Sequence, residues 1–266
     1  MVNKSPLRYP GGKQRAAKKI ADLVGDSPRV ASLFLGGGAV ELELAERGAS
    51  VVTTDLFRPL AMFWQQLKSD CTAIRERSTE ELGLNKDRFK LLQSELSELS
   101  RSSVPKPFEE AWRFFVLNRA SFSGTTLAGG MSKGQRFTQS SIDRLSDTDL
   151  DRVDVIHGDY FDALMTQQPM ADCGAIYADP PYALEKQGKL YGDRGDLHIN
   201  FDHELFAERM LPYRDQQEIN VVISYNDSPL VRKLFDGWAI QPIEWAYGMN
   251  ASKKSNEIVI SNKEQG

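Results

Sequence analysis

The stretch SLFLGGGAVELELAERG, residues 32–48, decides how the chain is read: an apolar run, three consecutive glycines, then a pattern with one apolar face. The run RVASLF (29–34) has the length of a buried strand, and the apolar positions after the glycines recur at helical spacing. Gly36, Gly37 and Gly38 let the chain turn tightly and leave main-chain atoms open to a ligand that a Cβ would block. A second run, SVVTT (50–54), ends at Asp55. That is about 20 residues past the glycines, where an acid in a strand–turn–helix unit hydrogen-bonds ribose hydroxyls. Together these features predict a nucleoside-bearing ligand at the rim of a sheet.

Outward from this unit, further strand-length runs occur at VDVI (153–156), GAIYA (174–178), INVVIS (219–224) and NEIVIS (256–261). Helical periodicity is read over 13–24, 39–47, 58–69, 86–99, 107–118, 160–167, 203–213 and 229–235. Strands alternating with helices predict an α/β fold with a mostly parallel sheet covered on both faces. Right-handed crossovers then put the loops after the strands on one rim. From about 60 to 150 no strand is read, only helical segments, the linker RSSVPKP (101–107) and the Gly/Ser/Thr-rich FSGTTLAGGMSKGQRFTQSS (122–141). An insertion explains this more simply than a long structureless loop. Residues 1–59 and 151–266 are therefore expected to form one domain, with 60–150 inserted into it.

Composition agrees with a globular chain, at 41% hydrophobic and 26% charged over 266 residues. No run approaches the ~18 apolar residues of a membrane span, and residues 1–20 are basic and hold Gly and Pro, unlike a secretory signal. No membrane association and a cytoplasmic location are expected. Cys71 and Cys173 are too few for a disulfide scaffold, and His157, His198 and His203 lack metal-ligand spacing, so no metal is expected. The net charge is −4, yet ten of the 33 Lys and Arg fall in two segments without an acid, 1–21 and 111–142. Such segregation is what a local phosphate-binding face requires.

The ligand can be narrowed by what is missing. The dinucleotide fingerprint G-x-G-x-x-G needs glycine where Glu41 stands. PGGK (10–13) fails as a phosphate-binding Walker loop, with Leu7 in place of glycine and Gln14 in place of Ser or Thr. S-adenosylmethionine carries ribose and adenine without a pyrophosphate, and its positive sulfonium suits an acid-bearing glycine turn.

A second stretch, GAIYADPPYALEKQGKLYG (174–192), ends a strand on an acid, two prolines and a tyrosine. Tandem prolines cannot continue a ladder, so Asp179, Pro180, Pro181 and Tyr182 are delivered to the rim that also holds the glycine turn. They suit a planar aminated ring. Asp179 and the Pro180 carbonyl can accept the two N–H bonds of an adenine amine, which gains positive charge as it attacks a methyl group. Tyr182 can stack on the ring and align it.

Taken in order, PLRYPGGK (6–13), FLGGGA (34–39), LNRASFSG (117–124), DPPY (179–182), VISYNDSP (222–229) and KKSNEIVISN (253–262) resemble the segments of the Dam-like, D12-class DNA N6-adenine methyltransferases. The resemblance implies a Rossmann-like, seven-stranded S-adenosylmethionine methyltransferase core with a mostly helical inserted target-recognition domain. It implies methylation of adenine N6 in a specific sequence of double-stranded DNA, with the base flipped into the DPPY site. Around the cofactor it places Tyr9, Gly11, Lys13, Phe34, Gly36, Gly37, Gly38, Asp55, Asp159, Tyr160 and Asp179. On DNA it places Arg8, Asn118, Arg119, Ser123, Lys133, Arg136, Lys253 and Lys254. After SFSG the chain departs from the Dam pattern, so GATC as target is not implied. The segment RGDLHINFDHELF (194–206) either closes over the flipped base or is a flexible connector, with Phe201 a candidate for the pocket wall. An RNA adenine methyltransferase and a non-catalytic DNA-binding relative remain open on the residues alone.

Overall fold

In the computed structural model of the protein, each of these apolar runs becomes a strand of one sheet. The structure describes residues 4–134, 136–166, 170, 172–183, 201–243 and 257–264. The strands are β1 (Arg29–Ser32), β2 (Ser50–Asp55), β3 (Val153–His157), β4 (Ala175–Ala178), β5 (Asn220–Asn226), β6 (Ala239–Ile243) and β7 (Glu257–Ser261). Their order across the sheet is β3-β2-β1-β4-β5-β7-β6, with β7 antiparallel to both of its neighbours and the other pairs parallel. The seven-stranded α/β expectation holds. β6 is the strand that periodicity did not reveal. It is an edge strand, mostly half-buried, and Pro242 within it breaks the strand pattern that buried runs show.

The helices among the described residues are α1 (Ala17–Val24), α2 (Ala39–Glu46), α3 (Arg58–Ser69), α4 (Cys71–Thr79), α5 (Lys86–Arg101), α6 (Pro107–Ala120), α7 (Gln139–Asp143), α8 (Tyr160–Thr166), α9 (His203–Met210) and α10 (Pro229–Leu234). Two apolar cores flank the sheet, and the strands supply them alternately. Val30, Val51 and Tyr177 face one core, while Ala31, Val52 and Ile176 face the other. This is the period of two that puts successive side chains on opposite faces. α8, α9 and α10 cover the second face through Leu164, Phe206 and Val231.

Between β2 and β3 the described residues hold helices and no strand of the sheet. α3 lies directly on the sheet: Gln65 Nε2 donates to the Val155 carbonyl at 2.8 Å and Lys68 Nζ to the Val153 carbonyl at 2.9 Å. α6 packs on α3 through stacked rings of Phe63 and Phe115, 5.7 Å apart. A buried pair between Arg58 and Glu110, at 2.9 Å, joins the same two helices. α4 escaped the sequence reading because its segment, CTAIRERST, buries only Ile74 and Ser78; Asp70 caps it by accepting from the Ala73 N–H.

Strand order reverses at β1, which has β2 on one side and β4 on the other. In open α/β sheets the crevice beyond the carboxyl ends at such a point is where ligands bind. The glycine turn after β1, Asp55 at the end of β2 and Asp179 after β4 all lie there.

Candidate active site

The crevice is a cleft of about 440 Å³, and its wall is the glycine turn. Gly36 and Gly38 have φ of 49° and 69°, in the left-handed region that side-chain-bearing residues rarely enter. A Cβ on Gly36 would sit 2.9 Å from the Tyr9 ring, and one on Gly38 would sit 2.8 Å from Trp64. Asp55 holds the turn: one carboxylate oxygen accepts the Gly36 N–H at 3.0 Å and the other accepts the Phe57 N–H at 2.8 Å. Burial pushes its carboxyl up to about 6. Tyr9, Lys13, Phe34, Gly36, Gly37, Gly38, Asp55, Asp159, Tyr160 and Asp179 all line the cleft, whereas Gly11 does not and its neighbour Gly12 does.

At one end, Asp179 follows β4 with Pro180, Pro181 and Tyr182 beside it, all lining the cleft. Lys13, only 5% exposed, donates to both Asp179 oxygens, at 2.7 and 2.8 Å. The same ammonium donates to the Tyr182 hydroxyl at 2.6 Å and to the Gly11 carbonyl at 3.2 Å, and lies 4.8 Å from the Tyr182 ring centre. Ser224 Oγ, on β5, donates to Asp179 at 3.2 Å. Burial pushes the Asp179 carboxyl upward, and Lys13 and Ser224 pull it back. Glu257 on β7 approaches Lys13 at 3.7 Å. Lys13 thus sits on the DPPY acid rather than at the far end of the cleft.

At the other end the walls are aromatic. Phe34 meets Tyr160 at 5.0 Å and Phe201 at 5.7 Å between ring centres. Asp159 caps α8 by accepting from the Phe161 and Asp162 N–H groups, and also lines the cleft. Arg209 lies over the Phe161 ring at 4.2 Å and donates to the Tyr160 hydroxyl at 3.3 Å. The sequence does not mark Leu205 or Arg209 and shows Glu41 only as a departure from the dinucleotide fingerprint, yet all three line the cleft. Leu205 and Arg209 come from the same amphipathic helix, which carries no motif.

The cleft fits a nucleoside joined to a charged aliphatic tail. Phe34 and Tyr160 give one aromatic wall, Asp55 puts an acid beside the glycine turn, and that turn leaves backbone uncovered.

Away from the cleft, the basic segments meet. Asn118 is fully buried: its Oδ1 accepts the Arg8 N–H at 2.9 Å, and its Nδ2 donates to the carbonyls of Arg8, at 2.8 Å, and Gly124, at 3.1 Å. Expected as a DNA contact, it is instead the clamp that ties the N-terminal segment to the loop after α6, with no polar atom left for a ligand. Arg8 and Arg119 are half-buried and Arg136 and Arg144 are exposed. Burial, then the charges of Arg144, Arg8 and Arg136, pushes the Arg119 guanidinium down to about 10. Its Nε is buried without a hydrogen-bond partner among the described residues. Ser123 is exposed at φ 53°, and neighbouring Phe122 is 69% exposed. Lys133 is exposed nearby in sequence, and Lys253 and Lys254 lie outside the described residues. Arg144 was missed because it stands just past the acid-free segment, beside Asp143.

The profile of D12 class N6 adenine-specific DNA methyltransferases matches residues 9–249. The chain is 23% identical over 272 residues to the retron Ec67 DNA adenine methylase of Escherichia coli, covering 95% of this chain and 89% of that one. Among solved structures it is similar to a precorrin 8w decarboxylase from Methanobacterium thermoautotrophicum, with TM-score 0.41, 12% identity and 98% of each chain covered. It is also similar to a SAM-dependent methyltransferase from Neisseria gonorrhoeae, with TM-score 0.33 and 12% identity, over 96% of this chain and 68% of that one.

Proposed function

The chain belongs to the D12 class of N6 adenine-specific DNA methyltransferases, and from that premise we infer that Asp179, Pro180, Pro181 and Tyr182 form the site of methyl transfer. The enzyme methylates adenine N6 in DNA and uses S-adenosylmethionine. The observation that carries the site assignment is the bidentate contact of Lys13 Nζ on Asp179, within a cleft lined by the glycine turn. Asp179 lines the cleft, and both of its oxygens already act as acceptors of N–H donors, at 2.7 and 2.8 Å.

In this reading the target adenine leaves the double helix, because its amine is otherwise paired and stacked. Asp179 and the Pro180 carbonyl accept the two amine hydrogens, and both bonds strengthen as the nitrogen becomes positive. The proline rings fix these acceptors before the base arrives. Tyr182 stacks on the ring. The cofactor supplies the methyl group as an electrophilic sulfonium; Phe34 and Tyr160 hold its adenine, Asp55 its ribose, and the glycine turn leaves room for its amino-acid end.

We assign the duplex to the face made by Arg8, Arg119, Arg136 and Arg144, with Ser123, Lys133 and the exposed Phe122 at its edge. Arginines that repel one another are relieved by phosphate. The inserted segment, 60–150, carries three of these four and acts as the recognition unit. Among the described residues no helix is long and apolar enough to cross a membrane, and a cytoplasmic reaction on DNA is the reading we propose.

The test uses methyl-labelled cofactor and unmethylated duplex DNA, followed by hydrolysis to nucleosides, with Asp179→Ala beside the wild type. Label in N6-methyldeoxyadenosine from the wild type alone is the expected result. Undiminished label from the variant overturns the site assignment.

A further inference from the structure

Where the dinucleotide fingerprint would have glycine, this chain buries a carboxyl. Glu41 lies in the first turn of α2, is 2% exposed and lines the cleft. Its Oε1 accepts a hydrogen bond from Ser32 Oγ at 2.6 Å. It faces Lys13 from the N-terminal segment, Asp179 beyond β4 and Tyr177 on β4, while Glu257 of β7 approaches Lys13 at 3.7 Å. Among the described residues, three carboxyls therefore gather around one buried ammonium. Burial, only partly offset by Ser32 and Lys13, holds the Glu41 carboxyl up at about 7, so it changes charge around neutrality. A buried carboxyl is costly unless a cation meets it. In a cleft of this shape, the cation that comes and goes is the cofactor.

We propose that Glu41 is the counter-ion of the cofactor's positive sulfur, and that it distinguishes the methyl-bearing sulfonium from the spent thioether. The proposal rests on the cleft being the cofactor site. Methyl transfer forms a C–N bond at adenine N6 and breaks an S–C bond, whose electron pair stays on sulfur. The sulfur loses its charge and the amine sheds one proton. Glu41, facing a sulfonium as carboxylate, is left without a cation and takes up that proton. Charge in the cleft is thereby conserved through the step. The neutral thioether then faces a carboxylic acid and has no electrostatic hold, which favours its exchange for a fresh sulfonium. Binding of that sulfonium expels the proton to solvent, so one proton leaves per turnover, as the reaction requires.

S-adenosylmethionine and S-adenosylhomocysteine share adenosine and the α-amino acid, so their difference in affinity isolates the methyl and the charge on sulfur. The test is isothermal titration of both ligands, without DNA, into wild type and Glu41→Gln from pH 6 to pH 8. Each titration is run in two buffers of different ionisation enthalpy to count protons. The wild type should bind the sulfonium about tenfold more tightly at pH 8 than at pH 6 and release a proton at the lower pH, while the thioether shows neither effect. Gln keeps the contact with Ser32 but not the charge, so its preference for the sulfonium should shrink and lose its pH dependence, while thioether binding persists. Equal pH dependence for both ligands, or a wild-type preference retained by Glu41→Gln, overturns the proposal. Failure of the wild type to bind either ligand overturns the cofactor-site reading, and the counter-ion with it.

Discussion

At the scale of single residues, the site is a balance of buried charges. Among the described residues Lys13 is the ammonium that Asp179, Glu257 and Glu41 share, and its removal leaves these largely buried carboxyls without it. Lys13→Ala should destabilise the fold by about 3 kcal/mol, the usual loss when one partner of a buried pair is taken away. The deficit should narrow in urea melts at pH 5 relative to pH 8, because the orphaned acids can then take up protons; an equal deficit at both would show that Lys13 acts by packing alone. Glu41 gives the opposite sign. Its folded value of about 7 lies above the 4.5 of an exposed glutamate, and Asp55, at about 6, lies above its 3.8. The folded state therefore binds more protons than the unfolded one between those limits. Stability from these groups is complete below about pH 4 and is lost as pH rises through 6 and 7. Glu41→Gln should melt higher than wild type at pH 8, by a few degrees, and match it near pH 4.

At the scale of elements, legibility divided along sequence distance. The glycine turn, the alternating strands and the end of β4 each announce themselves within a dozen residues, because their signal is local backbone geometry. β6 was hidden by Pro242, tolerable on an edge strand, and α4 by having a single apolar anchor in Ile74. The contact of Lys13 with Asp179 spans 166 positions and that of Arg8 with Asn118 spans 110, and no spacing rule reaches so far. For the same reason Asn118, which the resemblance places on DNA, is an interior clamp in the fold. The loop it holds is propped from α5 as well, where Gln93 donates to the carbonyls of Thr126 and Gly129 at 2.7 and 2.8 Å. Gly124, at φ 78°, lies so close to the N-terminal segment that a Cβ would come 1.7 Å from the Arg8 carbonyl oxygen. Gly124→Ala should therefore push loop and segment apart. DNA affinity should fall more than tenfold in a filter-binding or anisotropy assay while cofactor affinity falls less, whereas equal losses would mean the two segments do not form the DNA face.

At the scale of the whole molecule, a net charge of −4 would repel DNA if it were evenly spread. Folding undoes the repulsion by bringing the two acid-free segments together, so that Arg8 from one joins Arg119 and Arg136 from the other, with Arg144 just beyond. None of the four has an ion-pair partner among the described residues, and the pressure shows in Arg119, pushed down to about 10 by burial and by the other three. The arginine face is thus under electrostatic strain that a phosphate would relieve. Each arginine bound to phosphate releases roughly one counterion, so losing one lowers the slope of log affinity against log salt by about 0.9. Arg136→Ala, exposed and outside the core, should reduce that slope by this amount on duplex DNA and leave cofactor binding unchanged. Lys233→Ala, an exposed lysine of α10 on the opposite face of the sheet, should leave the slope alone. If instead the Lys233 variant loses slope and the Arg136 variant does not, the duplex lies on the other side of the sheet, and the recognition role of 60–150 falls with it.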